Sequence, residues 1–213
     1  MSGVIAVPRL VLASASPARR KLLAAAGLHA DVLTSGVDES TVDSPVPEAL
    51  CLTLARLKAE AVAARLRGPG AAEEEVLVLG CDSVLAFDGQ ILGKPASEAE
   101  ATQRWYAMRG RSGVLHTGHC LIHLDGNANG KRAEAVGSTT VHFADLTDAE
   151  IAAYVGTGEP LQVAGAFTID GLGGPFVESI EGDHGNVVGL SLPLLRRLLG
   201  ELGIRLTDLW PTG

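Results

Sequence analysis

The chain has 213 residues, of which 46% are apolar and 20% charged, a balance that excludes a disordered protein and predicts a filled core. The chain carries 25 Asp and Glu against 17 Lys and Arg, a net charge of −8 that excludes binding of long nucleic acid by general charge attraction. Any phosphate site must therefore be a local group of cations. We expect a single domain over residues 1–213.

The cysteines and the apolar runs indicate in which cellular compartment the protein is expected. Cys51, Cys81 and Cys120 are odd in number and widely spaced, which predicts reduced, buried thiols rather than a disulfide framework. The apolar run 10–12 before Ala13-Ser14-Ala15 is too short for a secretion signal, and no run is long enough to span a bilayer. The sequence predicts a cytoplasmic protein without a membrane partner.

The first predicted unit is a strand, a Ser-rich turn and a helix. Residues 10–13 form a short apolar run typical of a buried strand. Ser14-Ala15-Ser16-Pro17 supplies helix-capping side chains and a proline suited to the first helical turn. Leu22 and Leu23 are expected on the inner face, and Gly27 ends the helix.

A longer helix is predicted over residues 47–66. Its inner face is expected to carry four apolar residues at helical spacing: Leu50, Leu54, Leu57 and Ala61. Gly68-Pro69-Gly70 is expected to stop it, and residues 71–75 to form a solvated loop.

Residues 76–79 predict a central strand that ends at Gly80-Cys81-Asp82-Ser83. Residues 84–92 follow as a hairpin with Asp88-Gly89 at its tip. A helix should then run to Met108, with Ser97 as its cap and Glu100 as the capping-box partner.

The rest of the chain predicts two strands, a helix, a loop, a strand and a last helix. The strands cover residues 116–124 and 132–143, joined by the Gly/Asn-rich loop 125–130. Thr147 caps the helix 148–155, with Glu150 completing the capping box. A Gly-rich loop over 165–174, a strand over 176–180 and a Leu-rich helix over 186–200, interrupted near Pro193, complete the prediction.

The Ser-rich turn is the first candidate site. A strand that leads into a helix leaves backbone N–H groups free, which favours an anion, and Ser14, Ser16 and Arg19 would add donors. An ordinary capped helix with a solvated Arg19-Arg20 pair is the alternative.

Asp82 is the second candidate, because ligands bind beyond the carboxyl ends of strands in open α/β sheets. A carboxylate there could hold a metal or activate water, or simply cap a turn. Lys94, after the hairpin, could reach a phosphate. Residues 89–95 are not a P-loop, since the glycines are one residue too close and Pro95 replaces the Ser/Thr.

Other chemistries lack support. His116 and His119 should face opposite sides of a strand, and His119 and His123 share a face but lie far apart, so we expect no zinc site. The sequence contains neither a GxSxG elbow nor a GxGxxG that follows a strand.

Nine segments in order resemble the Maf family of nucleotide pyrophosphatases over nearly the whole chain. They are residues 12–19 (LASASPAR), 37–39 (VDE), 55–59 (ARLKA), 80–83 (GCDS), 89–95 (GQILGKP), 109–111 (RGR) with 116–118 (HTG), 140–143 (TVHF), 158–160 (GEP), and 165–167 (GAF) running to 188–190 (VGL). Each segment is weak alone, and the ordered set is specific.

The resemblance implies an α/β fold, similar to inosine-triphosphate pyrophosphatases, with a curved mixed sheet, flanking helices and two lobes around a deep cleft. It implies hydrolysis of nucleoside triphosphates to monophosphate and pyrophosphate. The proton acceptor falls on Asp82, and Glu39 and Asp82 would hold a divalent cation, Mg²⁺ or Mn²⁺. The phosphate-binding positions fall on Ser14, Arg19, Lys58 and Lys94.

Three positions that select the base in the family fall on Ala18, Ser83 and Asp170, and they match neither the dTTP/UTP branch nor the 7-methyl-GTP branch. An acceptor-only carboxylate at Asp170 would suit guanine or cytosine amino groups, unless it faces solvent and selects nothing.

Two other functions remain open: a non-catalytic regulator of septum formation, and a metal-dependent phosphatase that releases orthophosphate. The expected partner is a nucleoside triphosphate. A homodimer is expected from the resemblance only.

Overall fold

The computed structural model describes residues 7–67, 75–125 and 130–211, and these form a mixed α/β fold. Seven strands make one sheet in the order β2-β1-β3-β5-β6-β7, with β4 also paired to β3. The strands are β1 (Arg9–Leu12), β2 (Ala30–Val32), β3 (Val76–Phe87), β4 (Gln90–Leu92), β5 (Ser112–Leu124), β6 (Lys131–Phe143) and β7 (Val177–Glu181). Strands β2, β1 and β3 are parallel, and the other pairings are antiparallel.

Helices cover both faces of the sheet. They are α1 (Pro17–Ala25), α2 (Pro47–Leu66), α3 (Glu98–Met108), α4 (Asp148–Val155), α5 (His184–Val188) and α6 (Leu192–Glu201). The predicted mixed sheet with flanking helices is confirmed.

Strand β3 is apolar on both sides because both sides are covered. Leu77 and Leu79 pack in a cluster with leucines of α1 and α6. Val76 and Val78 point the other way and pack against α2. A strand buried on both faces shows a continuous apolar run instead of alternation, which is the pattern that predicted it.

A second apolar cluster lies further along β3. Leu85 and Phe87 pack with α3 and α4 around Trp105, which is fully buried. The core is therefore divided along β3. Asp82 and Ser83 lie on β3 between Cys81 of the first cluster and Leu85 of the second.

Two glycines let α2 lie directly on the sheet. A Cβ atom on Gly80 would fall 2.1 Å from the carbonyl oxygen of Ala55, and one on Gly118 would fall 2.3 Å from that of Cys51. Because backbone atoms cannot rotate away, neither position accepts a side chain unless the helix moves.

Gly118→Ala is therefore expected to destabilise the fold by about 1–3 kcal/mol, the usual cost of overpacking. Urea unfolding of the purified protein measures it. Gly200→Ala is the control: Gly200 lies in α6 with open space around its Cα, so an alanine there should be neutral or stabilising. Equal stability of the Gly118 variant and the wild type would contradict the close contact.

The predicted helix starts are confirmed. Ser16 caps α1 with Pro17 in the first turn, and Thr147 and Glu150 form a complete capping box on α4. Ser97 caps α3, as predicted. The Glu100 carboxylate, however, accepts from the N–H of Ala96 and not from that of Ser97, so the second hydrogen bond of the predicted capping box is absent.

The predicted inner face of α2 is wrong by about one residue. Of the four apolar residues expected inside, only Leu54 is buried, while Cys51, Ala55 and Ala59 fill the contact with the sheet. The helix lies so close to Gly80 and Gly118 that small side chains fit the interface, and larger leucines move to its flanks.

Two further boundaries differ from the prediction. Strand β3 does not end at Gly80 but continues to Phe87, where Asp88 and Gly89 make the predicted turn with φ of 52° and 75°. The last helix is broken at residues 189–191, where Gly189 has φ of 119°. Pro193 does not interrupt it, since it lies in the first turn of α6, where a missing N–H costs nothing.

The predicted stop at residues 68–70 lies outside the described residues, as do most of the loops at 71–75 and 125–130. All three cysteines are free and buried, as expected. None of the helices in the described ranges combines the length and apolar character needed to cross a membrane.

Candidate functional site

The candidate site lies where β3 loses its neighbour on one side. Strand β1 pairs with β3 only as far as Leu12 opposite Leu79, and β4 joins only at Leu92 opposite Leu85. Along residues 80–84, no strand of the described chain pairs with that edge of β3. Backbone N–H and C=O groups at such an opening need other partners, which makes it a natural place for ligands.

Asp82 and Ser83 point to opposite faces of the sheet at this opening, since neighbouring strand residues alternate. Asp82 faces α2 and contacts Lys58. Ser83 faces α1 and contacts Arg19. Groups on the two faces of the sheet can therefore contact the same ligand only through the open edge of β3.

Arg19 closes part of the open edge. Its Nη1 donates to Ser14 Oγ at 3.0 Å and to the carbonyl of Cys81 at 2.9 Å, and its Nη2 donates to Ser83 Oγ at 3.1 Å. Its Nε donates to the carbonyl of Gly189 at 2.7 Å. Arg19 is only 9% exposed, and these bonds use four of its five N–H groups, so at most one remains for a substrate.

The hydroxyl groups of Ser83 and Thr117 extend the hydrogen bonds of Arg19 from β3 to β5. Ser83 Oγ lies 2.9 Å from Thr117 Oγ1 on β5, and Thr117 donates to the carbonyl of Asn186 at 2.9 Å. The turn before α1, the middle of the sheet and α5 are therefore connected by hydrogen bonds through Arg19. This fixes the shape of the opening on the α1 side.

On the other face, two carboxylates meet one ammonium group. Lys58 Nζ lies 2.6 Å from Asp82 Oδ1 and 2.7 Å from Glu39 Oε1. Asp82 and Lys58 are 7% and 8% exposed, whereas the Glu39 side chain is 54% exposed. Glu39 begins a one-turn 3₁₀ helix that Asp38 caps.

Burial raises the pKa of Asp82 above its ordinary value, and nearby Glu39 raises it further, while Lys58 and Arg19 act in the opposite direction. A carboxylate whose pKa moves towards neutrality is better suited to accept a proton from water.

The donor set fits a divalent cation. Among the described residues, Lys58 is the only side-chain partner of Asp82 and of Glu39, so each carboxylate keeps an oxygen for another ligand. In the described part of the chain, no three His, Cys, Asp or Glu side chains gather as a metal cluster. Two carboxylates with open positions suit a hard cation such as Mg²⁺, which keeps waters and binds substrate phosphates.

The predicted setting of Asp82 at the end of a strand is wrong. Asp82 does not follow the end of a strand; it lies in the middle of the twelve-residue β3. The site arises because β1 ends early, not because β3 does.

The remaining predicted residues lie on four other segments of the chain. Ser14 lies in the turn between β1 and α1, and Ala18 is half-buried in the first turn of α1. Lys94 follows β4, is exposed, and has no hydrogen bond or ion pair within the described ranges. Asp170 is also exposed, in the Gly-rich loop, so the structure does not place it as a buried acceptor.

Two of the buried histidines, His119 and His116, make hydrogen bonds that serve the fold. His119 Nδ1 donates to the carbonyl of Thr117, and its Nε2 accepts from the N–H of Ser191 at 2.9 Å. Burial, together with the charge of Arg19, lowers the pKa of His119 to about 4. His116 contacts Ser138 on β6 and lies 3.7 Å from Glu48.

Sequence reasoning missed two parts of the network, Thr117 and the carbonyl of Asn186. Thr117 belongs to a segment that carried the resemblance, but only the register of Ser83 opposite Thr117 reveals its role. A backbone acceptor such as Asn186 O leaves no signal in the sequence.

Comparison with known proteins gives one consistent result. A family model described as "Maf-like protein" matches residues 9–202. A protein of Salinispora tropica named nucleoside triphosphate pyrophosphatase is 68% identical over 213 residues, covering 100% of this chain and 92% of the relative. Proteins with the same name from Streptomyces coelicolor and Synechococcus elongatus are 59% and 55% identical, covering 95% and 96% of this chain and 94% and 98% of their own length.

A crystal structure of a nucleoside-triphosphatase, a dITP/XTP pyrophosphatase from Mycobacterium abscessus, is a more distant match. It is 13% identical, the match covers 65% of this chain and 75% of that one, and the TM-score is 0.36. A similarity this low carries no argument about function.

Proposed function

Because this chain belongs to the Maf family, we propose that it hydrolyses nucleoside triphosphates to nucleoside monophosphate and pyrophosphate. The observation that carries the proposal is the meeting of two carboxylates, Asp82 and Glu39, on Lys58 beside the open edge of β3. Anhydride hydrolysis needs a proton acceptor and a group of cations, and this opening offers both.

Asp82 takes the proton from the attacking water in this scheme. Its carboxylate is held by Lys58 and keeps one oxygen free, while its burial favours proton uptake. A divalent cation, Mg²⁺ or Mn²⁺, held by Asp82 and Glu39 would supply charge neutralisation and a lower pKa for bound water.

The substrate's phosphates would lie against the start of α1. Ser14 would offer its hydroxyl, and the first turn would offer the backbone N–H of Ala18, since Pro17 has no N–H and the N–H of Arg19 donates to Ser16. Lys58, Lys94 and the remaining N–H of Arg19 would balance the charge of the leaving pyrophosphate. Arg19 would act mainly by holding this turn against β3, given its four bonds to the protein.

Lys94→Ala is expected to weaken binding of a non-hydrolysable triphosphate by about tenfold to a hundredfold, the cost of a charge-assisted hydrogen bond, and to change monophosphate affinity little. Titration calorimetry with both ligands measures this. Lys131→Ala is the control, since Lys131 is exposed at the start of β6, away from the opening. Equal losses for the two nucleotides would contradict contact with the outer phosphates.

Identifying the first product tests the proposed reaction. A panel of common and modified nucleoside triphosphates with Mg²⁺ or Mn²⁺ should yield monophosphate and pyrophosphate. Orthophosphate as first product would favour the phosphatase alternative, and no turnover of any nucleotide would favour the non-catalytic regulator of septum formation.

The base preference rests on Ala18, Ser83 and Asp170. Ser83 already bonds Arg19 and Thr117, which leaves it little capacity for a base. Asp170 is exposed in the Gly-rich loop and would contact a base only at the protein surface.

We place the enzyme in the cytoplasm, acting as one domain and as a homodimer. The single-domain proposal is supported by β3, whose residues belong to all three apolar clusters of the core.

A further inference from the structure

Glu159 lies outside the catalytic residues and is surrounded by hydrogen-bond donors. Its Oε1 accepts from Tyr154 Oη and from the N–H of Gly173, both at 3.0 Å, and from the hydroxyl of Thr168. Its Oε2 accepts from the N–H of Leu172 at 3.0 Å. One carboxylate thus ties both ends of residues 168–173 to Tyr154 of α4.

The loop is shaped to fit this carboxylate. A Cβ atom on Gly171 would fall 2.6 Å from Glu159 Oε2, and one on Gly173 would fall 2.3 Å from Tyr154 Oη. Tyr154 itself is 2% exposed and packs edge-on against Trp105 and Phe176. The loop is therefore fastened, through the half-buried Glu159, to Tyr154 in the second cluster.

The segment before this loop reaches the candidate site. The N–H of Gly165 donates to the carbonyl of Gly93 at 3.1 Å, next to Lys94. Gly165 also packs on Leu85, the first residue of β3 beyond the open edge, so closely that a Cβ atom would lie 2.7 Å from it. Ala166 follows with a positive φ of 61°, and its carbonyl accepts from Trp105 Nε1. Such strained backbone persists only where surrounding structure fixes it.

The chemistry of the loop differs from that of the phosphate side. Its exposed side chains include Asp170 and Leu172, the latter 60% exposed. A carboxylate repels phosphates, whereas Leu172 can pack on a flat ring and Asp170 can accept from an amino group. This loop suits the nucleoside end of a substrate whose phosphates lie near Lys94, Lys58 and α1.

We propose that Glu159 is a positioning residue that holds residues 168–173 as the wall that receives the base of the nucleotide. The role of the wall rests on the proposed function, whereas the fastening of the loop by Glu159 does not.

The fastening is tested by hydrogen exchange without substrate. Glu159→Gln replaces an acceptor-only carboxylate by an amide, and the amides of Leu172 and Gly173 should exchange about tenfold or more faster. Tyr154→Phe, which removes one donor and keeps the ring, should give a smaller increase. Glu178→Gln, at an exposed site on β7, should give none. Unchanged exchange in Glu159→Gln would overturn the proposal.

The wall is tested by comparing two ligands. Glu159→Gln should raise KM for the preferred nucleoside triphosphate about fivefold to twentyfold with kcat within about twofold, the pattern of lost uniform binding. The inhibition constant of inorganic tripolyphosphate, which has no base, should not change. Equal weakening of both ligands would indicate general damage and overturn the wall. Absence of wild-type turnover would contradict the proposed function while leaving the exchange result interpretable.

Discussion

Asp82→Asn is expected to fold like the wild type and to lose about 10²–10⁴-fold in kcat, the usual cost of removing a general base. An amide can occupy the same space and still bond Lys58, but it cannot accept a proton and is a poor ligand for a hard cation. Pyrophosphate release at saturating metal measures the loss, and circular dichroism with thermal unfolding checks the fold.

Asp88→Asn is the matched control, because Asp88 lies at the tip of the β3–β4 hairpin and pairs only with Arg111 at the surface. Its positive φ is one that asparagine also tolerates. This variant should keep wild-type turnover. A folded Asp82→Asn enzyme with near wild-type kcat would refute the role given to Asp82.

Lys58→Met is expected to abolish most activity and to destabilise the protein by about 3–5 kcal/mol, since it leaves a buried carboxylate without its partner. Methionine fills similar volume, so the loss should come from charge and not from a cavity. Lys21→Met, at an exposed position of α1, is the control and should unfold like the wild type.

The stability loss of Lys58→Met should depend on pH in a stated direction. Burial raises the pKa of Asp82, and Lys58 is the largest opposing influence, so removing Lys58 raises that pKa further. The unpaired charge is therefore costly above the pKa of folded Asp82, and the cost falls as lower pH protonates the group. Urea unfolding at pH 8 and pH 5 should show a larger difference from wild type at pH 8. A difference that is larger at pH 5 would argue against a buried pair.

Local signals predicted the elements well because each depends on neighbours in sequence. The start of α1 at Pro17 follows from a serine before a proline, and the Asp88-Gly89 turn follows from residues that accept positive φ. The inner face of α2 could not be predicted in the same way. It depends on Gly80 and Gly118, which belong to strands far away in the chain.

The candidate site likewise depends on residues that are far apart in the chain, so the sequence predicted it only in part. The residue pattern named Asp82 and Arg19, and the family resemblance added Lys58, but Asp82 was predicted at a strand end. The open edge exists because β1 stops opposite Leu79 and β4 starts opposite Leu85, and strand register is a long-range property. For the same reason, nothing in the sequence indicates that four N–H groups of Arg19 donate hydrogen bonds to other protein groups.

The buried thiol of Cys51 gives the protein an internal reporter of α2. Burial raises the pKa of Cys51 to about 12, so this thiol is almost wholly protonated and inert at neutral pH. Cys51 lies on α2 where its carbonyl meets Gly118, about two helical turns before Lys58. An alkylating reagent can label Cys51 only after α2 separates from the sheet, which also separates Lys58 from Asp82. The rate at which Cys51 is labelled therefore measures how often the contact between Lys58 and Asp82 opens, even in the absence of any nucleotide.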